Sequence, residues 1–442
     1  MRKMKDSGIE WIGEIPEYWE CTQFKTLLSR NDGGVWGNDP TDTDVDKIVI
    51  RSTEQTIDGK WCINNPAKRD LTTENIKDYR IVKNDLLMTK SSGSLDHIGK
   101  TSIADEYFTK NECYYSNFIQ RLRCYENKYF PKYAWFILNS TIARKQFAYL
   151  QNSTSGLGNI NSGIINQIKV PLPPLHEQQR IVDFLDRKCS QIDSVISKTR
   201  ETIEEYKKLK QSIITEVVTG KVKIENGKVC EKYDTYKDSG IEWIGEIPSE
   251  WDCFYLSQIF SPVKNKNIGM QETNLLSLSY GKIIRKNIET TFGLLPENFE
   301  GYNIIERDNI VLRLTDLQND HKSLRVGLVT EKGIITSAYL TLKNKTNMSS
   351  NYFYYLLHSF DIAKGFYGMG AGVRQGLNWN EIRSLRIISP KESFDQQQIS
   401  DFLDKKCSEI DKLITKKEQL VVELEAYKKS LIYEVVTGKR EV

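Results

Sequence analysis

Four histidines, at 97, 176, 321 and 358, and eight cysteines, at 21, 62, 113, 124, 189, 230, 253 and 407, are the residues of this 442-residue chain best suited to nucleophilic, acid–base or metal chemistry. Their spacing does not support it. No histidine stands with a Ser or Cys and an acid in a recognisable local motif, and no cysteines have CxxC or zinc-ligand spacing. Gly368-Met369-Gly370-Ala371-Gly372 resembles a loop for the methionine part of S-adenosylmethionine or for a dinucleotide. It follows an aromatic helical stretch rather than a strand, and it lacks the acidic partner that such loops need. Asn64-Asn65-Pro66-Ala67 lacks the second proline and the aromatic of an amino-methyltransferase tetrapeptide. Neither a Walker loop nor the carboxylate cluster of a metal-dependent nuclease can be read. The chain therefore does not read as an enzyme.

Binding chemistry is better represented. Two polar loops, Ser91–Lys100 (SSGSLDHIGK) and Leu314–Gly327 (LTDLQNDHKSLRVG), and two Gly/Asn-rich loops, Asn152–Gly163 and Gly368–Asn380, carry Lys, Arg, Asn, Gln and Ser. Arg and Lys suit guanine edges in a DNA major groove, and Asn and Gln suit adenine edges. Lys, Ser and backbone N–H groups suit phosphates. The candidates are Lys90, Ser92, Lys100, Arg121, Asn159 and Asn161, then Arg313, Lys322, Arg325, Arg374, Gln375 and Asn378. His97 and His321 read as loop surface.

The elements that must position these loops occur twice. DSGIEWIGEIP stands at Asp6–Pro16 and again at Asp238–Pro248, an offset of 232. Tyr79–Lys90 and Tyr302–Arg313 each read as a turn and a strand, with Asp85 aligned to Asp308 and Lys90 to Arg313. Strands at Phe118–Cys124 and Tyr339–Leu342 and aromatic helices at Pro131–Phe147 and Asn351–Phe366 follow. Strands mixed with helices, without regular βαβ alternation, predict an α+β fold.

Each copy ends in a rod. His176–Lys221 carries Ile181, Phe184/Leu185, Cys189, Ile192, Ile196, Ile203, Tyr206, Leu209, Ile213 and Val217 at three- and four-residue steps, the seam of a long amphipathic helix. About 40 residues make a rod of roughly 60 Å. Phe394–Lys439 repeats it at an offset of 218, with roughly half of the positions identical. The first intervening segment is therefore 14 residues the longer. A lone helix of this length needs a partner in water. The two near-copies can supply it as an intramolecular coiled coil. Cys189 and Cys407, at matching places, read as small core residues.

Charge is nearly balanced, 62 Lys and Arg against 59 Asp and Glu, so any basic surface is local. Met1–Lys5 runs directly into polar sequence, so no signal peptide is expected, and no apolar run approaches the ~18 residues of a membrane span. A reducing cytoplasm is the expected setting.

The duplicated pattern resembles the specificity (S) subunits of type I restriction-modification systems over essentially the whole chain. PLPPLHEQQRIVDFLD with a rod ending EVVTGK (Pro171–Lys221), FDQQQISDFLDKK in the second copy and the doubled DSGIEWIGEIP carry the resemblance. The second copy departs at Ile387–Gln398, where Pro-Pro is lost and Asp395 replaces Glu177, which bears on the start of its helix. The resemblance implies two target-recognition domains separated by two long antiparallel helices in a pseudo-twofold arrangement. On that reading residues 1–175 are the first recognition domain and 176–221 the first spacer helix. Residues 222–393 hold a linker and the second recognition domain, and 394–442 the second spacer helix. It further implies a non-catalytic subunit on double-stranded DNA, docked with two methylation subunits that bind S-adenosylmethionine and two restriction subunits that use ATP and Mg²⁺. A self-contained methyltransferase or nuclease, and a coiled-coil scaffold without a DNA role, are the alternatives.

Overall fold

The structure is a computed structural model that describes residues 2–41, 45–152, 159–230, 232–286, 298–320, 323–369 and 376–442. It divides into two compact units, Met1–Thr199 with Gln419–Val442, and Arg200–Glu418.

In the first unit the central sheet comprises β1 (Leu28–Gly33), β2 (Leu86–Thr89), β3 (Thr101–Ile103) and β4 (Ile119–Cys124), in the order β1-β4-β2-β3. All neighbours are antiparallel. The helices α1 (Pro131–Asn139), α2 (Thr141–Asn152) and α3 (Ser162–Gln167) follow, then the long helix α4 (Leu175–Val218). Pro131 opens α1, where its missing N–H costs nothing.

The second unit repeats the plan with β5 (Phe260–Pro262), β6 (Ile310–Leu312), β7 (Val326–Leu328) and β8 (Leu340–Asn344) in the order β5-β8-β6-β7, again antiparallel throughout. Then come α5 (Ser350–Ile362), the short α6 (Trp379–Ile382) and the long α7 (Ser393–Val436). Sheets and helices built from unlike sequences thus share one topology.

Each unit takes part of both long helices. In the first, Ile181, Leu185, Cys189, Ile192 and Ile196 of α4 share a core with Val421, Leu431 and Val435 of α7. In the second, Ile203 of α4 packs with Ile410 and Ile414 of α7. Early α4 thus meets late α7 and late α4 meets early α7, so the pair is antiparallel. Lys428 bonds Asp193 at 2.6 Å in the first unit and Lys210 bonds Asp411 at 2.7 Å in the second. These are the same two positions exchanged between the helices, as a self-complementary pairing requires. Cys189 and Cys407 are buried free thiols in these seams, and burial pushes Cys189 up to about 11.

One seam position is corrected. Leu209 is 48% exposed. At 3.6 residues per turn it lies about 120° round the helix from Ile203, whereas Lys210 lies within about 20°. Lys210 and Tyr206 flank the seam instead.

The helix starts are fixed by a residue the sequence did not advertise. Gln178, fully buried, accepts from the Phe130 N–H just before α1 (2.7 Å) and donates to Pro173 O (2.8 Å) and Lys128 O (3.2 Å). Gln396, equally buried, accepts from the Ser349 N–H before α5 (2.8 Å) and donates to Pro390 O (3.0 Å). The second helix therefore starts in the same way despite its lost Pro-Pro. At the far ends, Tyr133 Oη donates to Val436 O (2.8 Å) and Tyr352 Oη to Val218 O (3.0 Å).

Burial also sets a pH dependence. His358 on α5 is 8% exposed, and burial, reinforced by Lys210, pulls it down to about 4. Its unfolded counterpart titrates near 6.5. The stability held above pH ~6.5 is therefore lost as pH falls towards 4, at about 1.4 kcal/mol per pH unit. Asp361 on the same helix is pushed up by burial and acts with the opposite sign. Denaturant titrations at pH 7 and pH 5 should show the native chain losing up to about 2 kcal/mol more than His358→Leu. Equal losses would mean that the imidazole is not held neutral.

Candidate nucleic-acid interface

Two loops leave the central sheets side by side with the Gly/Asn-rich segments. A bridge joins Ser91 to Asn159 in the first unit, and a second joins Thr315 to Gly376 in the second. The strands that deliver the first loop of each pair are set by matching turns. Asn84 and Asp308 adopt left-handed backbone, at φ +72° and +66°. The next residue closes the turn in each case. Asp85 accepts from Val82 N–H at 2.9 Å, and Asn309 from Glu306 N–H at 3.0 Å. Asp308 thus corresponds to Asn84, and Asp85 to Asn309, one residue from the sequence alignment. Asp85 is fully buried and also accepts from Arg123 Nε (2.6 Å) and Nη2 (2.9 Å). The same shift pairs Thr89 with Arg313, and the bonds these two make pair Lys100 with Arg325, because Thr89 N–H bonds Lys100 O and Arg313 N–H bonds Arg325 O, each at 2.9 Å.

Three of the predicted contact residues are not on the surface. Lys100, 2% exposed, donates to Gln55 O at 2.7 Å and sits 3.1 Å from His97 Nδ1. Burial, with Arg144 nearby, lowers its pKa. Arg121, 1% exposed, grips both Asp32 oxygens and donates to Arg80 O (2.9 Å) and Asp78 O (2.8 Å). Arg325, fully buried, donates to backbone carbonyls of its own loop. As direct contacts these three are corrected, since a cation enclosed by its own carbonyls and carboxylates cannot meet a base or phosphate. Asn161 and Asn378 are exposed but occupied as helix caps, accepting from the N–H of Ile164 and of Asn380, each at 2.9 Å.

The remaining candidates stay at or near the surface. Asn159 is exposed. Ser92 is half-buried and accepts from Ser94 N–H at 3.3 Å. Lys90 is half-buried, its ammonium over Gly33, where an added Cβ would lie 2.7 Å away. Arg313 is half-buried with Asp320 3.6 Å from its guanidinium. Lys322, Arg374 and Gln375, like His321 and the glycines at 370 and 372, lie outside the described residues.

The structure adds residues that sequence reasoning passed over. Arg144 on α2 donates to Ile98 O (2.6 Å) and more weakly to Asp96 O (3.4 Å), holding the first loop from below. Gln120 links Asn31 (2.7 Å) and Ser162 (3.0 Å) beside Lys90. In the second loop Gln318 and Asn319 are exposed at the tip. Adjacent amide side chains within a loop were a readable sign of these last two.

A family model described as the type I restriction modification DNA specificity domain matches residues 45–205. The putative type I restriction enzyme MjaX specificity subunit of Methanocaldococcus jannaschii is 25% identical over 441 residues, 98% of this chain and 96% of that one. The EcoKI specificity subunit of Escherichia coli K12 is 27% identical over 229 residues, 51% of this chain and 46% of that one. Among solved structures, a chain from a study of type I restriction-modification complex assembly and conformational transition superposes with a TM-score of 0.68 at 12% identity, covering 96% of this chain and 98% of its own. The HsdS subunit of Thermoanaerobacter tengcongensis gives 0.52 at 12% identity, with the same coverage. Among the described residues no helix is long and apolar enough to cross a membrane. A domain model matching residues 45–205, a relative alike over nearly the full length, and one fold laid down twice agree: the chain is similar to the specificity subunits of type I restriction-modification systems.

Proposed function

We propose that this chain reads a bipartite double-stranded DNA target, one half with each unit, and brings methylation and restriction subunits to it. The observation that carries the reading is the repetition itself. Two units share a strand order and a helix junction yet differ in the loops at their polar ends. A shared scaffold under unlike loops suits two readers of different sequence. On this reading two methylation subunits bring S-adenosylmethionine and two restriction subunits use ATP and Mg²⁺, while this chain contributes recognition alone.

Phosphate contacts should supply much of the affinity, and loop side chains the choice of bases. The test is expression with its methylation partners in a host lacking adenine methylation, followed by single-molecule sequencing. One split motif with methylated adenines is expected. Affinity for a duplex holding that motif should fall by ~10³-fold or more between 50 and 200 mM salt if some six phosphates are contacted. Salt-independent binding and an unmethylated genome would refute the proposal. Binding of S-adenosylmethionine by this chain alone would favour a self-contained methyltransferase.

A further inference from the structure

Arg325 has every guanidinium N–H engaged. Nε donates to Tyr367 Oη (2.9 Å), Nη1 to Arg313 O (3.1 Å) and Thr315 O (2.7 Å), and Nη2 to Asp316 O (3.2 Å) and Asp320 O (2.5 Å). That accounts for all five donors of the group. Its backbone N–H is held by Asp361 at 2.7 Å, and its guanidinium carbon lies 5.1 Å from the Tyr367 ring centroid. Tyr367 Oη in turn donates to Asp320 O at 3.0 Å.

The carbonyls gathered here bracket a short span. Asp316 has left-handed backbone at φ +56°, and Asn319 donates to its carboxylate at 2.9 Å. Leu317, 7% exposed, anchors the span in the hydrophobic core. Gln318 and Asn319 are thereby left outward on a fixed base. Burying a guanidinium is costly unless all its donors are bonded. Here that burial serves loop carbonyls, so its effect is to give the loop one shape. The first unit places Lys100 at the equivalent position and shares the task with Arg144.

We propose that Arg325 is a positioning residue whose guanidinium fixes the loop from Arg313 to Asp320, so that Gln318 and Asn319 meet base edges in the half-site read by the second unit. The inference rests on the DNA-reading function proposed above. Amide side chains suit adenine edges, with two hydrogen bonds each when held in register. Lysine could not replace the arginine, since a point cation cannot reach the same ring of carbonyls.

The test uses the full chain assembled with its methylation subunits. The readouts are the methylated motif and competition binding by duplexes with single-base changes. Gln318→Ala combined with Asn319→Ala, at the exposed tip, should reduce discrimination by about 10-fold or more at one or two positions of a single half-site. Arg325→Lys should relax the same half-site over those positions and their neighbours, leaving the other half-site as stringent as in the native chain. Should Arg325→Lys fail to fold, the tip variant decides alone. Full discrimination retained by the tip variant overturns the proposal, as does equal relaxation of both half-sites by folded Arg325→Lys. A native chain that directs no split-motif methylation overturns the functional reading itself, and this inference with it.

Discussion

Ile203→Asp is expected to cost about 4 kcal/mol and to loosen the long-helix pair in the second unit. Ile203 is 6% exposed and packs on Ile410 and Ile414 of the opposing helix. The substitution removes most of a buried aliphatic side chain, leaves a cavity, and puts a carboxylate against Ile410 and Ile414. For a unit of this size the melting temperature should fall by roughly 8–16 °C. Leu209→Asp is the control, because Leu209 is 48% exposed on the same helix. It should move the melting temperature by no more than about 2 °C. Thermal melts of the two variants, with elution of each beside methylation subunits, decide the matter. If Leu209→Asp proves the more damaging, the seam has been placed on the wrong face.

Gly220→Ala should be nearly as harmful, at about 3 kcal/mol. Gly220 ends its helix at φ +74°, and a Cβ there would stand 2.3 Å from Pro248 Cδ and 2.7 Å from Pro248 Cγ. Left-handed backbone costs a non-glycine residue ~1–2 kcal/mol, and overpacking a further 1–3 kcal/mol. Gly438 repeats the arrangement at φ +72°, with Pro16 Cγ at 2.5 Å. Gly8 separates the two contributions, since it has φ +68° but no described residue within 4 Å of an added Cβ. Gly8→Ala should therefore show the backbone cost alone. Urea titrations that give equal losses for Gly8→Ala and Gly220→Ala would mean that the ring of Pro248 yields.

The long helices and the duplication were legible because both rest on regularities that survive without coordinates. A three-to-four spacing of apolar residues marks a buried stripe, and identical stretches at constant offset mark a repeat. Leu209 shows the limit of the first. It is apolar and within one position of the stripe, yet angular phase, not hydrophobicity, decides exposure. Asp85 and Asp308 show the limit of the second. Like residues were aligned, while the turn geometry pairs Asp308 with Asn84. The loops were read least well. Lys100, Arg121 and Arg325 carry the charge expected of DNA contacts, but charge in a loop does not reveal whether the partner is a phosphate or the loop's own carbonyls. Only their enclosure by Gln55 O, Asp32 and the carbonyls around Asp316 settled that.

The two buried glutamines bear on how such a chain can change. Gln178 and Gln396 bond backbone atoms, a peptide N–H ahead of the aromatic helix and carbonyls near the strand end. Such a junction is indifferent to which side chains the incoming domain carries. A domain of foreign sequence can be seated there if it offers a helix start in the same place. On the proposed reading, loop surfaces that take no part in these bonds are free to diverge while the two glutamine junctions stay as they are.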